Sequence, residues 1–128
     1  MRRPYQRSMS ATWWLHKHNY LLFMLRELTS VFIAAYLVLF LVQLARLSQG
    51  AEAYAAFLQQ LTSPGWILFH LLALAAALYH SITWFNLLPQ VMVVRRGEER
   101  VPPALIAGSN YLAWLAISVV IVWIVLRS

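Results

Sequence analysis

The sequence contains no cysteine. That excludes disulfides, thiolate metal ligands, cysteine-ligated iron–sulfur clusters and a cysteine nucleophile on this chain. Charge is nearly as scarce: 11% of the 128 residues are charged, and 62% are hydrophobic. A soluble domain of this length would be roughly a quarter charged and about half apolar. No glycine-rich phosphate loop, nucleophile motif or metal-ligand cluster is present, and neither is an internal repeat or a low-complexity segment. Nor does the N-terminus read as a cleavable signal. Arg2 to Lys17 is polar and aromatic, and no small-residue cleavage site follows a short apolar core.

What is present is a set of long apolar runs. The first covers roughly Tyr20–Leu47, the second opens at Pro64, and the third follows Pro102 and Pro103 and continues to Leu126. About 20 residues cross the hydrocarbon of a bilayer as a helix. The spacing predicts an all-α integral membrane protein with three transmembrane helices, at about residues 20–47, 64–92 and 103–127. They form one anchor domain over residues 20–128, behind an N-terminal arm at 1–19. Proline favours the first helical turn, which suits Pro64, and Pro89 should kink or end the second span. Residues 48–63 make a short polar linker whose Ala51–Leu58 stretch could form a short interfacial helix. Arg95-Arg96-Gly97-Glu98-Glu99-Arg100 reads as a tight charged loop.

The net charge of +6 suggests nucleic acid at first sight, but its placement argues for a membrane. Arg2, Arg3, Arg7 and Lys17 precede the first span, and Arg95, Arg96 and Arg100 lie between the second and third. Basic residues that flank spans mark the cytoplasmic side. A nucleic-acid binder would gather them on one solvated face. The expected topology is N-in and C-out, with only Arg46 and Arg127 as cations on the outer side. Trp13 and Trp14 sit just before the first span, where indole rings favour the interface.

Two features stand out inside the spans. Arg26 and Glu27 interrupt the first, and His80 sits in the second. Ionisable groups in hydrocarbon cost roughly 2.5–3.5 kcal/mol each on insertion scales, and they usually face an interior, a cavity or a ligand. Glu27 lies about 10 Å along the helix past Tyr20, and His80 lies about 13 Å before Pro89. If the spans run in opposite directions, both residues fall in the cytoplasmic half. Thr83 and Trp84 follow His80 at i+3 and i+4, on the same helical face. An acid, an imidazole, a hydroxyl and an indole at one depth suit a quinone, whose ring stacks on aromatics and whose oxygens exchange hydrogen bonds and protons.

Structural readings stand beside this one. Arg26 and Glu27 could snorkel or pair with a partner subunit, and His80 could bond a carbonyl across helices. His70 lies about 15 Å from His80 along the helix, so the two cannot ligate one haem iron together. His16 and His18 lack further ligands. Gly108, Ser109, Asn110 and Ser118 in the third span suit helix–helix packing.

At these residues the sequence resembles the C subunit of the four-subunit quinol:fumarate reductases, a three-span hydrophobic anchor. The resemblance covers nearly the whole chain. Pro4-Tyr5-Gln6-Arg7, Met9 and Thr12-Trp13-Trp14 are similar to that family's opening. Met24-Leu25-Arg26-Glu27-Leu28-Thr29 is similar to its first-span motif. Ala75-Ala76-Ala77-Leu78-Tyr79-His80 with Thr83-Trp84-Phe85 and Pro89 is similar to its second.

The resemblance implies an anchor that performs no catalysis alone. With a second hydrophobic anchor, the D subunit, it holds a flavoprotein subunit and an iron–sulfur subunit on a bacterial inner membrane for anaerobic fumarate respiration. It implies menaquinone as the bound quinone, FAD and iron–sulfur clusters in the partners, and no haem or other metal on this chain. Membrane lipid is the remaining partner, and nucleic acid is none. The quinone-site residues it implies are Arg26, Glu27, His80 and Trp84; Thr83, on the His80 face, and Ser30, one turn after Arg26 and Glu27, complete the expected quinone-binding set. Glu27, an ionisable group in the cytoplasmic half, is expected to accept the proton when quinol is oxidised. Two departures bear on the pocket's shape: Leu28 follows Glu27 where glycine is expected, and Ser30 stands where alanine is expected. His70 replaces an expected polar amide. That keeps open a haem-b anchor of the succinate dehydrogenase type, with His80 or His70 as one axial ligand. A structural membrane protein without ligand is the third reading.

Overall fold

A computed structural model of the chain describes residues 8–127. The Arg2, Arg3 and Arg7 cluster, the Pro4–Arg7 portion of the resemblance and Ser128 lie outside the described residues. A short 3-10 turn, Trp13–His16, leads into helix α1, His18–Ser48. Helix α2, Ala51–Leu61, occupies the linker, and α3 runs Pro64–Val91. A two-stranded hairpin, β1 Arg95–Arg96 and β2 Glu99–Arg100, precedes α4, Pro103–Arg127. Helices α1, α3 and α4 are each long and apolar enough to cross a membrane. At 31 residues, α1 is about 46 Å long, against a hydrocarbon core of about 30 Å. In hydrocarbon a backbone must satisfy its own hydrogen bonds, and a continuous helix does so.

The boundaries have local causes. Pro64 and Pro103 each stand first in a helix, where their missing N–H has no intrahelical partner to lose. Pro89, expected to kink or end α3, lies inside its last turn, and the helix continues to Val91. So close to the C-terminal end a proline removes a single helical hydrogen bond, and the two residues beyond it remain bonded; Met92 N–H still reaches the Leu88 carbonyl at 2.9 Å. Gly50 has φ 110°, a left-handed backbone that lets the chain leave α1 and begin α2. The charged loop closes as a true hairpin, with Arg95 opposite Arg100 and Arg96 opposite Glu99. Gly97 takes φ 67° at the first of its two turn positions, where type II′ turns call for glycine.

The chain divides into two compact units, one through His80 and one from Ser81, with the boundary inside α3. In the first, α1 and the opening part of α3 run antiparallel. Tyr36 of α1 stacks on Phe69 and meets His70 edge-on, at 6.1 and 5.6 Å between ring centroids. Further along, Tyr79 Oη donates to the Leu22 carbonyl at 3.1 Å. Ala73 and Ala76 are the buried residues of α3, and with His80 they fall at i, i+3 and i+7 on one face. Helix α2 is tied to α1 by Gln43 Nε2, which donates to Tyr54 Oη at 3.0 Å.

In the second unit, Phe85 packs edge-on against Tyr111 and Trp114 of α4, at 5.1 and 6.1 Å. Within α4, Ser109 Oγ and Asn110 Nδ2 both donate to the Ile106 carbonyl, at 2.9 and 2.7 Å. A Cβ added at Gly108 would meet nothing within 4 Å. The polar side chains bond back to their own helix, and Gly108 faces open space.

Most large apolar side chains point outward. α4 buries none of its residues. In water such a surface would aggregate; against lipid or further apolar helices it is the expected exterior. Amphipathic side chains mark two helix ends: Trp13 packs on Tyr20 at 5.0 Å, and the Arg127 guanidinium lies 4.6 Å from the Trp123 ring centroid.

Candidate functional site

The polar cluster lies in the first unit, where α1 passes His80. Arg26 and Glu27 are adjacent in sequence, so their Cβ directions differ by about 100° around the helix. Neighbours at i and i+1 do not ordinarily face each other. Here the long arginine stem closes the gap: Nη2 donates to Glu27 Oε1 at 2.8 Å and Nε donates to the same oxygen at 3.2 Å. The angular offset shows in their exposure, 8% for the Arg26 side chain and 52% for that of Glu27. The Arg26 guanidinium also lies 4.7 Å from the Phe23 ring centroid, a cation–π contact with the preceding turn. A buried cation is thus matched to a carboxylate that opens outward. Both arginine donors address Oε1, and no side chain among the described residues engages Oε2.

His80 enters from α3. Its Nδ1 lies 3.2 Å from Thr29 Oγ1 and 3.4 Å from the Arg26 carbonyl. Thr29 is itself buried, and its hydroxyl donates to the same Arg26 carbonyl. Imidazole, hydroxyl and main-chain carbonyl form one linked group on the turn that carries the ion pair. Ser30, one of the expected quinone contacts, is exposed and donates its hydroxyl to the Glu27 carbonyl. That hydrogen bond satisfies the hydroxyl within its own helix.

Of the six residues singled out from sequence, Arg26, Glu27, Ser30 and His80 lie together in this unit. Thr83 and Trp84 lie on the next turn of α3, in the second unit; Thr83 is half-buried and Trp84 exposed. The residue that sequence reasoning passed over is Thr29, which figures there only as the end of the Met24–Thr29 motif. The available signal was a hydroxyl one turn after a charged residue in an apolar span.

A second feature is chemically different. His70 lines a groove of about 480 Å³ with Tyr36, Phe40, Ala73 and Ala77. Its Nδ1 is buried with no hydrogen-bond partner. Among the described residues, no group of three or more histidines or acids is placed to hold a metal ion.

Three long apolar helices, one of them carrying a buried guanidinium paired to an outward carboxylate, define a multi-span hydrophobic membrane protein with a polar site set into its helices. Comparison with known sequences gives the particular family. The family model for the fumarate reductase C subunit matches residues 1–126. The fumarate reductase C subunit of Mycobacterium tuberculosis (strain ATCC 25618 / H37Rv) is 33% identical over 122 residues, covering 95% of this chain and 97% of its own. That of Aliivibrio fischeri (strain MJ11) is 32% identical over 124 residues, covering 97% and 98%. That of Klebsiella pneumoniae (strain 342) is 35% identical over 126 residues, covering 98% and 95%. The chain belongs to the family of fumarate reductase C subunits.

Proposed function

We propose that this chain is the C-type membrane anchor of a menaquinol:fumarate reductase and supplies part of its quinol-oxidation site. It lies N-in and C-out in a bacterial inner membrane, with residues 1–19 as a cytoplasmic arm and residues 20–128 as the anchor domain. It holds the flavoprotein and iron–sulfur subunits there, together with a second hydrophobic subunit. The observation that carries the site assignment is the cluster at Arg26, Glu27 and His80, three ionisable side chains within otherwise apolar helices. Such groups persist in hydrocarbon where they serve a ligand or a proton path.

Oxidation of menaquinol releases two electrons and two protons. In the assembled complex, iron–sulfur clusters and flavin in the partner subunits would carry the electrons to fumarate, whose reduction to succinate consumes two electrons and two protons. The protons must leave near the quinol oxygens. Glu27 is suited to accept one, because its Oε1 is held by Arg26 and its half-exposed side chain presents Oε2 to the quinol. His80 hydrogen-bonds the other quinol oxygen. Arg26 fixes the carboxylate and balances its charge. Ser30 borders the head group on α1, and Thr83 and Trp84 are assigned to it by their spacing from His80 along α3, Trp84 for stacking.

The test is reconstitution. Co-expression with the flavoprotein, iron–sulfur and second hydrophobic subunits should give membrane-bound menaquinol:fumarate activity. Omitting this chain should release the flavoprotein to the soluble fraction and abolish the quinol-linked rate. Retention of both without it would refute the proposal.

One observation favours a second reading. The unpartnered, buried Nδ1 of His70 beside an apolar groove is a nitrogen that would hold a haem iron in a haem-b anchor, with a partner chain supplying a second nitrogen. A b-type optical spectrum lost on His70→Asn would establish that reading.

A further inference from the structure

We infer that Thr29 is a positioning residue that sets the tautomer of His80, so that Nδ1 carries the ring proton and Nε2 is an acceptor. The inference rests on the quinol-site reading above.

Counting protons fixes the arrangement. A threonine hydroxyl has one proton to donate and two lone pairs to offer. Thr29 directs its proton to the Arg26 carbonyl. Toward His80 Nδ1, 3.2 Å away, it therefore offers a lone pair. The Arg26 carbonyl, 3.4 Å from the same nitrogen, has no proton to give. Nδ1 thus meets two acceptors. An unprotonated Nδ1 would set its lone pair against two oxygens within a largely buried group, whereas a protonated one donates to both. In a neutral imidazole with hydrogen on Nδ1, the basic nitrogen is Nε2.

The consequence is directional. An acceptor nitrogen takes a hydrogen bond from a quinol O–H, and it can take the proton as the quinol loses its electrons to the iron–sulfur protein. It cannot donate to a quinone carbonyl without first being protonated. Thr29 therefore tunes the site toward binding the reduced form. It does so without touching the quinol, by fixing which nitrogen of His80 bears hydrogen.

The test compares Thr29→Val, which keeps the shape and removes the hydroxyl, with Thr29→Ser, which keeps the hydroxyl, in the assembled four-subunit complex. Menaquinol-linked turnover should fall about tenfold in the valine variant, the order expected for one lost hydrogen bond. It should return to within about threefold of the parent in the serine variant. Fumarate reduction from an artificial donor to the flavoprotein should be unchanged in both. Solid-state NMR of isotope-labelled histidine, with the His80 signal assigned by its loss in His80→Ala, should show the Nδ1–H form in the parent and serine complexes and a mixture in the valine complex. Thr29→Ala replaces the valine variant if that one fails to assemble.

A valine complex with parental turnover and an unchanged tautomer would overturn the inference. So would equal defects in the valine and serine variants with no change at His80. If Glu27→Gln and His80→Ala left menaquinol turnover intact, the quinol-site reading itself would fall, and the NMR arm would still decide whether Thr29 governs His80.

Discussion

Replacing Glu27 by glutamine separates the two roles assigned to this residue. The amide keeps the length and an oxygen that can accept from Arg26 Nε and Nη2, which now donate to Oε1 at 3.2 and 2.8 Å. What is lost structurally is the charge assistance. Hydrogen bonds to charged groups contribute about 1 kcal/mol more than neutral ones, and the 52% exposure of the Glu27 side chain places the loss at or below that figure. Assembly should therefore survive. What is lost chemically is the base, since an amide does not accept a proton at neutral pH. General-base catalysis contributes about 10²–10⁴-fold, and a hundredfold already corresponds to about 2.7 kcal/mol. The kinetic effect should thus exceed the structural one. In membranes carrying the complete complex, menaquinol-linked fumarate reduction should drop by about a hundredfold or more. Reduction driven by an artificial donor to the flavoprotein should stay near the parental rate. A quinol-linked rate within about threefold of the parent, with normal complex levels, would refute the assignment of Glu27 as proton acceptor. A parallel loss of both activities would instead mark Glu27 as a structural residue.

Removing the imidazole with His80→Ala should weaken menaquinol oxidation and the binding of quinone-site inhibitors together, with subunit stoichiometry unchanged; inhibitor titration of the purified complex checks this, and the parent complex should show no Soret band. Reporter fusions should place Gly97 in the cytoplasm and Ser128 outside, because seven of the ten basic residues lie in the arm and the hairpin; both on one side would remove the three-span topology. Expressed alone in detergent, the chain should aggregate or degrade. Its buried apolar residues among those described are only Leu39, Ala73 and Ala76, and a monodisperse, stable monomer would argue against an obligate partner.

Much of the architecture was legible because lipid is a demanding solvent. A backbone in hydrocarbon has to close its own hydrogen bonds, so each long apolar run reads directly as a helix. The ends were marked by residues with fixed conformational habits: Pro64 and Pro103 open their helices, and Gly97 turns the hairpin. The linker helix was foreshadowed by Ala51–Leu58 and extends to Leu61. The ionisable residues of the candidate site were equally visible, since any charge inside an apolar run is conspicuous.

The sequence by itself could not say which faces meet. Helices α1, α3 and α4 are apolar nearly all the way round, so hydrophobic periodicity does not point to an inward side. The rotation of α1 against α3 was decided by packing. It set Tyr36 against Phe69 and His70, and brought His80 to the Thr29 hydroxyl and the Arg26 carbonyl. The split between a buried Arg26 and an outward Glu27 follows from the same rotation, because adjacent residues on a helix cannot both face one neighbour. Residue types and their depth are properties of the chain alone; the partner of a polar side chain in lipid depends on how two nearly featureless cylinders turn against each other, and only the tertiary structure settles that.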